Sequence, residues 1–213
     1  MDLSNITVNA QSSVRIAGEK VLYFDPFEVK GEPHDADFIF ITHEHYDHFQ
    51  PESIAKIRKA DTVLVAPLSM EAQVREIAGD SEPMLWEPGT VQEICGLAVE
   101  TVPAYNKLKP FHPKRKNWQG YLVRMDGIAY YVAGDTDVND DIRKVRCDVA
   151  ILPVGGKYTL DKTQAADYIA EIRPTAVVPT HYGSIVGSPS DGSDFKKLVE
   201  KADPQIQVEL KLK

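Results

Sequence analysis

Residues 42 to 48 read Thr-His-Glu-His-Tyr-Asp-His, placing His43, His45 and His48, three of the chain's six histidines, beside Asp47 in one short turn. Neutral imidazole and carboxylate are the usual ligands of zinc and related divalent metals, so this spacing reads as a metal site. Two further candidates stand far along the chain. Asp135 lies in Ala133-Gly134-Asp135-Thr136-Asp137 and His181 in Pro179-Thr180-His181-Tyr182-Gly183, each just after an apolar run. Taken singly, an aspartate in such a turn is often a cap, and a lone histidine is usually no ligand. Taken with the first cluster, they read as ligands meeting on one rim. A divalent metal lowers the pKa of bound water from about 16 towards about 7, giving a hydroxide that can attack a carbonyl or phosphoryl centre. With a single metal, Asp47 would instead orient that water or take its proton. Cys95 and Cys147 lie near no motif that would activate a thiol. The chemistry expected is hydrolysis.

The elements that must carry these residues are legible around them. Phe38-Ile39-Phe40-Ile41, ahead of the first cluster, is an apolar β-branched and aromatic run that reads as a buried strand. Val21-Leu22-Tyr23-Phe24-Asp25 is a second strand, and Thr62-Val63-Leu64-Val65 a third, with a helix expected over residues 51 to 59 where Pro51 takes a favoured first-turn position. The same order returns later. Strands are expected at Ile128-Ala129-Tyr130-Tyr131-Val132, at Val149-Ala150-Ile151-Leu152 and at Ala176-Val177-Val178, with a helix over residues 163 to 172. Asp25 and Asp135 are 110 residues apart, Asp37 and Asp148 are 111 apart, and Thr62 and Ala176 are 114 apart. Two related halves, each a sheet with helices outside it, are therefore expected. Alternating runs at 97 to 102 and 120 to 124 would extend the sheets, and residues 183 to 192 read as a surface loop.

At 213 residues and 43% hydrophobic content, the chain is expected to form one domain spanning residues 1–213, with no apolar stretch long enough to span a membrane. The first residues lack the features of a signal peptide, so the cytoplasm is the expected compartment. A net charge of −8 disfavours nucleic acid as a partner; a homo-oligomer stays open. One segment departs from that balance. Lys107, Lys109, Lys114, Arg115 and Lys116 crowd the stretch between Pro103 and Gly120, together with His112. A loop of that length is a candidate substrate loop, with Lys114 and Arg115 drawing in a small anionic substrate; a solvated loop balancing acidic neighbours is the other reading. Gly155-Gly156-Lys157-Tyr158-Thr159 follows a strand, so Lys157 or Tyr158 could stabilise a bound anion there, unless it is an ordinary turn before a helix. Tyr182 could donate to an oxyanion or simply pack in the core. Trp86 and Trp118 read as core or pocket wall, and His34 as a surface residue.

The His-x-His-x-Asp-His pattern of His43, His45, Asp47 and His48 resembles the signature of the metallo-β-lactamase-fold superfamily, and in particular its branch of small zinc-dependent hydrolases related to lactonase-like and phosphodiesterase-like members. Tyr23-Phe24-Asp25-Pro26, Gly134-Asp135-Thr136, Leu152-Pro153-Val154-Gly155-Gly156 and Pro179-Thr180-His181-Tyr182 extend the resemblance over nearly the whole chain. It implies an α/β fold, a four-layer αββα sandwich, with one or two divalent ions along one edge: zinc first, with manganese or iron as the other candidates. It further implies that His43 and His45 serve one metal, Asp47, His48 and His181 a second, and that Asp135 bridges them. The family pattern expects another histidine at the end of a strand after the first motif. Here that strand ends Pro103-Ala104-Tyr105-Asn106, leaving Asn106 or His112 to fill the position. The implied activity is metal-dependent hydrolysis of a small anionic ester, lactone or phosphodiester. The alternatives are a metal-binding or sensing protein with little catalysis, kept open by the missing histidine, and a nuclease.

Overall fold

In the computed structural model, which describes residues 1–79 and 81–212, the run before the histidine cluster is buried on both faces. Side chains alternate across a strand. Phe38 and Phe40 accordingly enter one apolar cluster, and Ile39 and Ile41 another. The same division holds for Val149 and Ile151 against Ala150 and Leu152. Strands covered on both sides need apolar residues at every position, which is why these segments lack a polar face.

The first sheet has six strands in sequence order: β1 (Ile6–Val8), β2 (Val14–Ala17), β3 (Val21–Phe24), β4 (Ala36–Phe40), β5 (Arg58–Pro67) and β6 (Met84–Trp86). The second has seven: β7 (Val91–Ile94), β8 (Leu97–Pro103), β9 (Gln119–Met125), β10 (Ile128–Val132), β11 (Val149–Pro153), β12 (Ala176–Thr180) and β13 (Gln207–Val208). One core cluster lies between the sheets and includes Phe24, Phe38, Phe40, Tyr121, Val132 and Ile151. Helices α1 (Pro51–Ile57) and α2 (Glu71–Ala78) cover the outer face of the first sheet through Ile54, Ile57 and Val74. Helices α3 (Lys162–Ile172) and α4 (Asp191–Ala202) cover the second through Ala165, Ile169, Phe195 and Val199. The result is the expected αββα sandwich of two related halves. In each half a central strand pairs in parallel with its neighbours, β4 with β3 and β5, β11 with β10 and β12.

Several boundaries differ from the sequence reading. The first helix ends at Ile57 rather than at residue 59, because Arg58 is already extended and pairs with Ala36. The strand expected at 62 to 65 is the buried part of β5, whose first four residues lack an apolar signal. The segment 183–192 is not all loop, since Asp191 and Gly192 open α4. The hydrogen-bond register also changes two correspondences: Phe38 pairs with Val63 as Val149 pairs with Ala176, so Ala176 matches Val63 and not Thr62. The Asp25 amide donates to the Phe40 carbonyl as the Ala133 amide donates to that of Ile151, so Asp25 matches Ala133 and not Asp135. The two aspartates therefore occupy different places. No helix among the described residues is long and apolar enough to cross a membrane.

Candidate metal centre

Parallel pairing delivers β3, β4, β10, β11 and β12 to the same edge of the molecule. β8 ends there too, being antiparallel to β9, which is antiparallel to β10. The turns after these strands carry His43 through His48, His112, Asp135 and His181 to one place. Three ring nitrogens converge first. His43 Nε2 lies 3.0 Å from His45 Nδ1, and His112 Nε2 lies 3.3 Å from the same atom. Asp47, His48 and His181 form a second group of potential ligands. Asp135 stands between the groups, with Oδ2 3.3 Å from His112 Nε2, 3.4 Å from His181 Nε2 and 4.0 Å from His43 Nε2, and Oδ1 3.3 Å from His48 Nε2. All are buried except His45, which is exposed.

A set of hydrogen bonds behind the rings fixes which nitrogen faces inward. The Thr42 hydroxyl donates to Asp25 Oδ2 at 2.6 Å, which leaves its oxygen to accept from His43 Nδ1 at 2.9 Å. His48 Nδ1 donates to Asp25 Oδ2 at 2.7 Å, and His112 Nδ1 to the Tyr158 carbonyl at 3.1 Å. In each ring the opposite nitrogen is left to face the cluster, as in metal sites whose histidines are held by outer partners. Asp25 groups geometrically with His43 and His48. Its oxygens are already occupied by Thr42 and His48, however, so it acts as a holder and not as a ligand.

Electrostatics agree with the geometry. Burial, then the neighbouring imidazoles, holds His43 far below its ordinary pKa; burial also lowers His45 and brings His112 down to about 4. These three rings are neutral donors near pH 7. Burial also opposes a charge on His48, but Asp135, Asp25 and Asp47 outweigh it and push its pKa up to about 9. Asp47 ionises at about 2 despite its burial, through its hydrogen bond to His181 and the charges on His48 and His181. Asp135 Oδ1, His48 Nε2 and His181 Nε2 are buried and make no aligned hydrogen bond. Such atoms are costly unless something meets them, and a set of three neutral imidazoles beside ionised carboxylates fits one or two divalent cations. Asp25, His112 and His181 also hold left-handed backbone, with φ of 46°, 54° and 56°, a conformation that persists only where surroundings enforce it.

The remaining candidates divide. His112 joins the cluster, whereas Asn106 stands behind it, donating to the Tyr158 carbonyl at 2.6 Å. Tyr158 lines the cavity above the cluster. Lys157 is exposed, with Nζ 4.7 Å from the Tyr158 ring centroid, and is not part of that lining. Lys114 and Arg115 do not line it either: Lys114 lies over the Tyr105 ring and beside Asp141. Three lysines of the basic loop meet acids from elsewhere in the chain: Lys107 pairs with Asp140, Lys109 with Asp137 and Lys116 with Glu44. Tyr182 is not placed to meet an oxyanion. A strand end sends neighbours apart, and its ring packs in the outer core against Gly192, where a Cβ would lie 2.3 Å from its hydroxyl. Trp118 is a wall, meeting His45 and His112 edge to face and His43 at a tilt.

Sequence reasoning passed over Asp25 as a holder, although it closes a strand just as the ligand-bearing turns do. It also passed over Tyr46, Phe111, Ile185 and Val186, which line a cavity of about 280 Å³ over the cluster. Nothing in their spacing marks them.

Comparison with known proteins shows the family. The profile of the beta-lactamase superfamily domain matches residues 5–181. A UPF0173 metal-dependent hydrolase of Thermococcus kodakarensis is 33% identical over 206 residues, covering 90% of each chain. The crystal structure of a candidate metal-dependent hydrolase from Parabacteroides distasonis is similar with a TM-score of 0.81 and 27% identity, over 98% of this chain and 93% of that one. A metallo hydrolase of Ignicoccus hospitalis, with a TM-score of 0.80 and 23% identity over 96% and 93% of the two chains, shares the fold.

Proposed function

This chain belongs to the beta-lactamase superfamily, among its UPF0173 metal-dependent hydrolases, and we propose that it cleaves a small ester, lactone or phosphodiester at a two-metal centre. His43, His45 and His112 would hold one ion and Asp47, His48 and His181 the other, with Asp135 between the two groups and in reach of both. When bound, divalent ions supply an activated water and a counter-charge for the oxygen that becomes negative during hydrolysis. The chain's residues do the rest. Asp25, Thr42 and the Tyr158 carbonyl keep one nitrogen of each of three rings turned inward. Exposed His45 leaves the centre open to the cavity, and Asp47, which lines that cavity, orients a water against the reacting centre.

The observation that carries this reading is the position of Asp135, central to two ligand groups with Oδ1 buried and without an aligned hydrogen bond. His112 supplies the histidine whose absence from the motif would favour a metal-binding protein without catalysis. Zinc suits three imidazoles best, with manganese and iron as the other candidates. The test is elemental analysis of the purified protein together with hydrolysis of p-nitrophenyl acetate, a simple lactone and bis(p-nitrophenyl) phosphate. We expect about two ions per chain and a loss of kcat/KM of at least about a hundredfold in His45→Ala. Metal-loaded protein that cleaves none of the three probes would refute the proposal.

A further inference from the structure

The cavity over the ligand cluster says what kind of molecule enters. Resting on the hydrolase reading above, we propose that the non-reacting part of the substrate is an uncharged apolar group, a short alkyl chain or a single ring, held by Phe111, Tyr158, Ile185 and Val186. Three loops supply these walls. Phe111 comes from the loop between β8 and β9, Tyr158 from the turn ahead of α3, and Ile185 and Val186 from the loop between β12 and α4. The Phe111 and Tyr158 rings meet edge to face at 4.6 Å. Val186 is held close by Gly155, where a Cβ would lie 3.1 Å from its methyl group.

Charge complementarity points the same way. The charged residues along this cavity are Asp47 and Asp135, which belong to the ligand groups; among the described residues no lysine or arginine lines it. A substrate tail bearing a carboxylate, lying along Phe111, Tyr158, Ile185 and Val186 away from the ligand groups, would lose hydration and meet no basic side chain there. An apolar tail loses nothing and gains contact, at about fourfold in affinity per methylene buried. Phe111 and Ile185 are each 42% exposed and Tyr46 64%, so the rim holds apolar surface that a guest would cover. Size sets the limit. A cavity of about 150 Å³ holds a benzene, and this one, at about 280 Å³, has room for one ring or a short chain beside the reacting group.

The test uses methyl esters followed by proton release, because methanol is too small to occupy the cavity in place of the acyl group. We expect kcat/KM for methyl hexanoate to exceed that for methyl butanoate by about fifteenfold, and that for monomethyl glutarate, of similar length but charged, by at least about tenfold. Ile185→Lys, at an exposed position outside the ligand set, should reverse the ranking of hexanoate and glutarate without changing the metal content. A second readout needs no turnover: saturation-transfer NMR should show hexanamide, and not glutaramate, in contact with the metal-free protein. Monomethyl glutarate cleaved as fast as methyl hexanoate, or glutaramate bound as well as hexanamide, overturns the proposal and leaves the hydrolase reading intact. Hexanamide binding in protein that cleaves no ester, lactone or phosphodiester removes the hydrolase reading and supports the apolar cavity.

Discussion

Asp25 reaches both ligand groups from behind. It accepts from His48 Nδ1 directly and steadies His43 through the Thr42 hydroxyl. Removing such a partner typically costs about 10- to 100-fold in metal affinity, and here it would also strand buried donors at about 1–3 kcal/mol. Asp25→Ala should therefore weaken metal binding by at least about tenfold in chelator competition; an unchanged affinity would mean that the rings need no holder. His48 yields a second expectation, for the protein stripped of metal. Its folded-state pKa is raised from 6.5 to about 9, so its proton stabilises the fold fully below pH 6.5, and that contribution is lost as pH rises through about 9. The unfolding midpoint in chelator should fall across that interval. Metal affinity should rise across it, since an ion on Nε2 must displace the proton. A flat midpoint between pH 6.5 and 9 would show that His48 carries no proton in the metal-free protein.

The turns after β11 and β12 meet at Gly155. A Cβ there would lie 2.2 Å from the His181 carbonyl oxygen, and backbone cannot yield as a flexible side chain can. Gly155→Ala should displace His181, costing about 1–3 kcal/mol of stability and close to one bound ion per chain, read by urea unfolding and elemental analysis. Full metal content in a stable variant would show that the two turns can separate. The elements around this contact explain what could be read in the sequence. Strands β4, β10, β11 and β12 were legible because burial on both faces demands uninterrupted apolar residues. The first ligand cluster was legible because its spacing is local. His112 could not be chosen over Asn106, since it sits in a loop without periodicity and is selected only by where that loop returns. The two readings of the charge of residues 107 to 116 could not be weighed from the sequence, because the acids that meet it, Glu44, Asp137, Asp140 and Asp141, are contributed from other turns. Helix α2 was passed over because only Val74 and Ala78 of its eight residues are buried, too few for a stripe.

Across the whole molecule, the ligands come from both halves: His43, His45, Asp47 and His48 from the first sheet, His112, Asp135 and His181 from the second. An ion shared among them would tie the sheets together at one edge, in addition to the aromatic packing of Phe24, Phe40 and Tyr121 between them. Metal held at about a hundred times its Kd would add about 2.7 kcal/mol, and for a chain of this size that corresponds to about 5–10 °C in Tm. Thermal unfolding with and without chelator should show that drop, and its absence would mean that the ions do not join the halves. The cluster and the cavity walls have different supports. Most ligands follow directly on strand ends fixed by the sheets, whereas Phe111, Ile185 and Val186 ride on connecting loops. Reactivity and appetite are thus separable in this architecture. Drift at Phe111, Ile185 and Val186 can change which molecules are admitted while the machinery that breaks the bond stays intact, so cousins sharing every ligand can live on different diets, and exchanging those wall residues while keeping His112 is the direct way to swap them.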